Sequence, residues 1–305
     1  MAKFEIIMIG NTAVGKTSML ASLFNELDSY NLVGALQLEP TTDESRKLRD
    51  QTREMQRQID AQKPFTTLSI SRDRTAVDFV EHKVDLKINQ KPKHLVLFTD
   101  TRGGMTGETD QRLVARINDA FGVFCVIDAS VLMECEDAIN DMFNCPREVK
   151  SILKPVYTDG DNKQPRFVAF ILTKCEKYMS TDEGREELLE AFHKHYDNTV
   201  DMLKKVPHAP NCYVLAIQTM CQVSFFKRND KTKLPEFRIL EKGLVQTKDC
   251  AYPLVILLQN LIDSETSKVS IWGKILQALG LKEDLKEYRK EIKKNIKQPL
   301  LFKKL

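Results

Sequence analysis

The sequence predicts an α/β protein: a mostly parallel sheet with helices on both faces. Three observations lead there. Dense apolar runs recur at Phe4 to Ile9, Phe121 to Ile127, Phe167 to Leu172 and Cys212 to Ile217. Such short, uniformly apolar runs suit strands covered on both faces. Between them lie longer stretches with apolar residues at helical spacing, and that alternation is the pattern of a parallel sheet.

Taken in order, Phe4 to Ile9 is the first buried strand. Lys16 to Leu27 carries Met19, Leu20, Leu23, Phe24 and Leu27 on one helical stripe. Val33 to Leu38 reads as another strand. Asp43 to Lys63 is strongly charged, with Leu48, Met55 and Ile59 as its apolar positions. It is expected as a long, exposed helical insert with one narrow stripe, ended by Pro64. Val80, Val84, Leu86 and Ile88 fall on even positions, giving a strand over 76–88. A turn at Gln90-Lys-Pro-Lys leads into His94 to Thr99, so the pair forms an antiparallel hairpin at one side of the sheet. Helices are expected over 108–120, 134–153, 182–205 and 249–262. Ser224 to Leu240 reads as a surface hairpin with a polar tip.

The alternation runs from residue 4 to about 262, so one domain is expected over 1–262. Residues 263–305 form a basic, amphipathic helical extension. Val269, Trp272, Ile275, Leu276 and Leu279 share one face, and so do Leu285, Tyr288, Ile292 and Ile296. From 281 onward there are nine basic and four acidic residues.

The 305 residues are 42% hydrophobic and 29% charged, which fits a globular chain and not a disordered one. Forty-six basic residues against 43 acidic give a net charge of +3, so no nucleic-acid partner is expected. The amino-terminal apolar run is short and broken by Glu5, unlike a signal peptide. Tyr252 to Ile262 is about half the length needed to span a bilayer. Seven cysteines include no C-x-x-C pair, which suits reduced thiols and a cytoplasmic location. His193 and His195 are two apart and therefore on different faces of a helix, so they make no metal pair.

Chemistry is concentrated at Gly10-Asn11-Thr12-Ala13-Val14-Gly15-Lys16-Thr17-Ser18, which fits G-x-x-x-x-G-K-[ST] between a buried strand and a helix. Two glycines let successive backbone N–H groups turn toward phosphate oxygens, and the helix N-terminus adds positive partial charge. Lys16 is placed to meet the β- and γ-phosphates, and the Thr17 hydroxyl to ligate Mg2+.

With this loop the chain resembles the Ras-like P-loop GTPases, of the translation-factor-related class. The resemblance implies a three-layer αβα P-loop NTPase fold binding GTP or GDP with Mg2+. The family's D-x-x-G matches Asp100-Thr-Arg102-Gly103-Gly104. The match implies that Asp100 holds Mg2+ and that the Gly103 N–H senses the γ-phosphate. The family's [NT]-K-x-D matches Thr173-Lys174-Cys175-Glu176, with Glu where the family has Asp. A carboxylate there accepts two hydrogen bonds from the guanine edge, a donor pair that adenine lacks. Ala216-Ile217-Gln218 occupies the place of the family's last base-packing loop. For the switch threonine on the metal, Thr66, Thr67 and Thr75 qualify and Thr42 is more distant. Thr67 is favoured because Pro64-Phe65 ends the charged helix just before it. The family's water-orienting Gln is replaced by Gly104, which implies slow turnover unless Arg102 or a partner's arginine assists. A second, looser resemblance, to GTPase domains of bacterial conflict systems, rests on the Asp-x-Arg-Gly-Gly form and the long insert.

The implied function is a nucleotide-dependent switch, a slow GTPase read by an effector or activator protein. The alternatives are an ATP-dependent P-loop enzyme, or a nucleotide-bound interaction module without turnover. The basic tail suits either docking on the domain or peripheral contact with an anionic membrane or acidic surface.

Overall fold

The computed structural model describes residues 2–29, 36–48, 50, 65–66, 79–88, 91–101, 111–158, 167–219, 223–231, 235–239, 247–265 and 298–305. Their strands are β1 (Ala2–Ile9), β2 (Leu36–Pro40), β3 (Phe65–Thr66), β4 (Phe79–Ile88), β5 (Lys91–Thr101), β6 (Gly122–Asp128), β7 (Phe167–Thr173), β8 (Asn211–Ala216), β9 (Val223–Arg228), β10 (Pro235–Ile239) and β11 (Phe302–Lys304). Eight of them form one sheet in the order β11-β8-β7-β6-β1-β5-β4-β2. The five central strands, β8 to β5, run parallel. The edges are antiparallel: β4 on β5, β2 on β4, and β11 on β8.

The uniform apolar character of the central strands has a direct structural cause. Ile6, Met8, Phe124, Val126, Ala169, Ile171 and Leu215 face one layer. Their chain neighbours Ile7, Ile9, Cys125, Ile127, Phe170, Leu172 and Val214 face the other. Side chains of a strand alternate between faces, so a strand covered on both sides must be apolar throughout. The first layer is built from helices α1 (Lys16–Ser29) and α7 (Tyr252–Glu265). The second is built from α2 (Gln111–Asp119), α5 (Pro146–Thr158) and α6 (Asp182–Lys205). The expected mixed α/β sheet with helices on both faces is therefore present.

Two local expectations are revised. The stretch expected as one helix over 134–153 is divided among α3 (Ala129–Glu134), α4 (Asp137–Phe143) and α5. The second break, at Asn144-Cys145, has a covalent reason. Pro146 starts α5 and has no N–H to continue the preceding helix, and Cys145 takes a φ of 49°. The charged insert begins as expected: 43–48 is helical, and Leu48 of the anticipated stripe is buried in the core. Its continuation over 51–63 lies outside the described residues. The end of the tail is strand, not helix, at Phe302–Lys304. Phe302 stacks on Tyr213 with ring centroids 5.6 Å apart, and Leu301 is buried. The amphipathic stretches at 268–297 lie outside the described residues. Among those described, no helix is long and apolar enough to cross a membrane.

The 224–240 hairpin is present as β9 and β10, and β3 joins it in a second, three-stranded antiparallel sheet. It fastens onto the loop after β7, with Lys177 Nζ 4.8 Å from the Phe225 ring centroid.

Helices α1 and α7 are joined through a buried carboxylate. Glu26 Oε2 accepts from the backbone N–H of Cys250 at 2.6 Å and Ala251 at 3.2 Å, beside the first turn of α7. Burial pushes the Glu26 carboxyl up from 4.5 to about 7. The folded state thus holds this proton more tightly than the unfolded chain. About 3 kcal/mol of stability is present below pH 4.5 and lost as pH climbs to 7. Glu26→Gln keeps the acceptor oxygen and is expected to flatten the pH dependence of Tm between pH 4.5 and 7. An unchanged profile would show that Glu26 is not its source.

Candidate functional site

The loop after β1 needs its glycines for two reasons. Gly10 has a φ of 149° and Gly15 a φ of 105°, values that side chains disfavour. A Cβ on Gly10 would stand 2.6 Å from the Val126 carbonyl oxygen of β6. A Cβ on Gly15 would meet the Thr173 hydroxyl at 3.2 Å. Ala13, with a φ of 65°, adopts the left-handed conformation without being glycine, at a cost of about 1 kcal/mol. Asn11 pins the loop from outside. Its Oδ1 accepts from Thr12 N at 2.8 Å, and its Nδ2 donates to Met142 O at 3.1 Å. Val14 is buried, while Thr12 and Ser18 are half-buried.

Inside the loop lies Lys16, only 6% exposed. Its Nζ donates to Gly10 O at 2.8 Å and Asn11 O at 3.0 Å, so the loop curls around the ammonium. Asp100 meets it from the end of β5, with Oδ1 3.8 Å from Nζ. The Thr17 hydroxyl donates to Asp100 Oδ2 at 3.1 Å. The parallel register that sets Asp100 beside Met8 of β1 brings these groups together. Burial lowers the Lys16 pKa and raises that of Asp100, and the opposite charge of each partner moderates both shifts.

The donor set suits a hard divalent cation. Asp100 Oδ1 is buried with no hydrogen-bond partner among the described residues, and a hydroxyl oxygen lies beside the same carboxylate. Those residues include no cluster of three His, Cys, Asp or Glu able to hold a metal alone. A single carboxylate and a hydroxyl leave coordination places for phosphate oxygens and water, as Mg2+ prefers.

Beside this loop, the end of β7 does something the motif alone did not reveal. Thr173 is fully buried, and its hydroxyl lies between the carbonyl oxygens of Val14 and Ile127. Lys174, at a φ of 54°, donates from Nζ to Ala13 O at 2.5 Å and pairs with Asp128. Both residues thus hold the loop after β1. Glu176 follows on a turn, half-buried. Ala216 ends β8 and Ile217 follows it, both with wholly buried side chains, so they support the site through their backbone. Ile217 N donates to Leu172 O at 2.9 Å, and Cys175 Sγ lies 3.2 Å from Ile217 O.

Arg102, Gly103, Gly104, Thr67 and Thr75 lie outside the described residues. Thr66 sits in β3, opposite Glu236. Thr42 caps the helix at 43–48: its Oγ1 accepts from Ser45 N at 3.3 Å.

Asp128 is a residue of this neighbourhood to which the sequence assigned no role. Its signal was visible: a carboxylate closing a buried apolar strand, in register beside Thr173. No disulfide joins the six described cysteines.

No family model matches the chain, and no curated protein matches its sequence. Among solved structures the chain is similar to the GTPase-like domain of S. cerevisiae Ski7, bound to GTP, at 13% identity and a TM-score of 0.42. The likeness covers 72% of this chain, which spans 43% of the length of that one.

Proposed function

We propose that the chain has a P-loop NTPase fold and binds a guanine nucleotide with Mg2+, turning GTP over slowly as a nucleotide-dependent switch. The observation that carries this reading is the meeting of Lys16 and Thr17 with Asp100 at the mouth of a loop curled by Gly10 and Gly15. A buried ammonium beside a half-satisfied carboxylate suits a polyphosphate with its cation, which would complete the charges on both. Thr17 and Asp100 would hold Mg2+, which when bound neutralises charge developing on the β- and γ-phosphate oxygens. Lys16 offers those oxygens a point charge, and the N-terminus of α1 adds positive partial charge at the same corner.

Guanine is favoured over adenine by the Glu176 carboxylate, which follows Thr173-Lys174. The slow rate rests on Gly104, which has no side chain to orient water. Its absence of one also favours, as a second reading, an interaction module that keeps its nucleotide without turnover.

The test is an affinity comparison of GTP and ATP with and without Mg2+. Tighter GTP binding that weakens on Mg2+ removal supports the reading, and an ATP preference discards it. Single-turnover hydrolysis then separates the slow enzyme from the module. Glu176→Ala is expected to lower the GTP-to-ATP affinity ratio about tenfold while leaving the Mg2+ dependence intact. Equal losses for both nucleotides would remove Glu176 from base recognition.

A further inference from the structure

Lys174 is held from two directions, and only one of them is the phosphate loop. Its Nζ reaches Ala13 O on that loop and Asp128 Oδ2 at the end of β6. Asp128 is itself fixed at every polar atom. Its Oδ1 accepts from Ser130 N at 3.0 Å and Val131 N at 3.2 Å, capping α3. Its backbone N–H donates to Asn144 Oδ1 at 2.8 Å, and its carbonyl accepts from Asn144 Nδ2 at 3.0 Å. Asn144 Nδ2 also donates to Asn140 Oδ1 at 2.7 Å, and Tyr196 of α6 donates to Asn144 O at 3.3 Å. The pair is dry: Asp128 is 5% exposed, and the buried Phe237 ring of the second sheet has its centroid 6.0 Å from Lys174 Nζ.

We infer that Asp128 is a positioning residue for nucleotide binding, acting through Lys174 to hold the phosphate loop in its curled form. The inference rests on the guanine-nucleotide reading above. A lysine stem has many rotamers, and a loop containing a left-handed alanine has reason to relax. A carboxylate locked by α3 and Asn144 removes both freedoms before any ligand arrives, so binding costs less ordering. The same 128–145 segment grips the opposite side of the loop, where Asn11 donates to Met142 O.

A double-mutant cycle tests this, with fluorescent GDP and GTP as probes in the presence of Mg2+. Asp128→Asn retains an oxygen to cap α3 but loses the charge facing Lys174. It is expected to weaken binding about tenfold and to speed release. Lys174→Met is expected to weaken it at least as much. The double variant should bind within about twofold of Lys174→Met alone, because removing a residue that acts through an absent partner has no further effect. Losses that multiply, or wild-type affinity in Asp128→Asn, overturn the inference. Should Asp128→Asn lose its cooperative melt, Asp128→Ser, which also caps α3, enters the same cycle under the same criteria. Wild-type protein that binds no nucleotide fails the guanine-nucleotide reading itself and takes the inference with it. Wild-type binding with multiplied losses fails the inference alone.

Discussion

Lys16→Ala is expected to weaken nucleotide binding at least tenfold, or about 1.4 kcal/mol, for GTP and ATP alike. The equality matters as much as the size. Lys16 Nζ sits within the curl of Gly10 and Asn11 carbonyls and 3.8 Å from Asp100, where the phosphates of any nucleotide would come. No base lies within reach of that corner in the proposed pose, so the loss cannot discriminate between bases. Glu176→Ala, by contrast, should change the ratio and leave the phosphate end alone. Calorimetric titration of both variants with both nucleotides separates the two ends of the site. Unchanged affinity in Lys16→Ala would show that the loop is not where nucleotide binds. Lys16→Arg is a useful companion: the planar guanidinium does not fit between two carbonyl oxygens that hold a compact ammonium, so charge alone should not rescue binding.

The central strands, α1 and α6 were legible because one physical constraint dictates each. A strand buried on both faces has no polar position to spare, and an amphipathic helix repeats its stripe. Asp182–Lys205 adds its own signals, with acidic residues in the first turn and lysines in the last. The pairing of β11 was not legible. Three residues make no pattern, and what places them is Tyr213 and the open edge of β8, both about ninety residues away in sequence. The break before Pro146 was legible in principle, since proline announces a first turn, but the apolar periodicity of 134–153 overrode it. At the site the residue types were legible and their partners were not. Thr173 and Lys174 were matched to base recognition, yet the structure shows their polar atoms engaged with Val14, Ala13 and Asp128. A motif records which side chains are present. Which of two neighbouring loops they bind is decided by strand register, here the alignment of Asp128 with Thr173.

Gly10→Ala should be the most damaging single-methyl change in the described residues around the loop, and it should act on folding before it acts on binding. The new Cβ stands 2.6 Å from Val126 O and 3.0 Å from Val14 Cγ2. Val126 O belongs to the backbone of β6, which is paired with β1 and cannot swing aside as a side chain does. The φ of 149° adds strain of about 1–3 kcal/mol for any residue with a side chain. Together these predict a loss of about 3 kcal/mol or more, which is a fall in Tm of roughly 6–12 °C for a domain of this size. Gly15→Ala shares the φ strain, at 105°, but meets a side chain where Gly10→Ala meets backbone. Its Cβ meets a hydroxyl at 3.2 Å, and the Thr173 side chain can yield by a few tenths of an ångström. That movement pulls Thr173 away from Val14 O, so the damage should fall on nucleotide affinity with a smaller change in Tm. Thermal melts with and without nucleotide read both effects. A Gly10→Ala protein that melts within about 2 °C of wild type would mean that β1 and β6 are not locked in the register on which the whole loop depends.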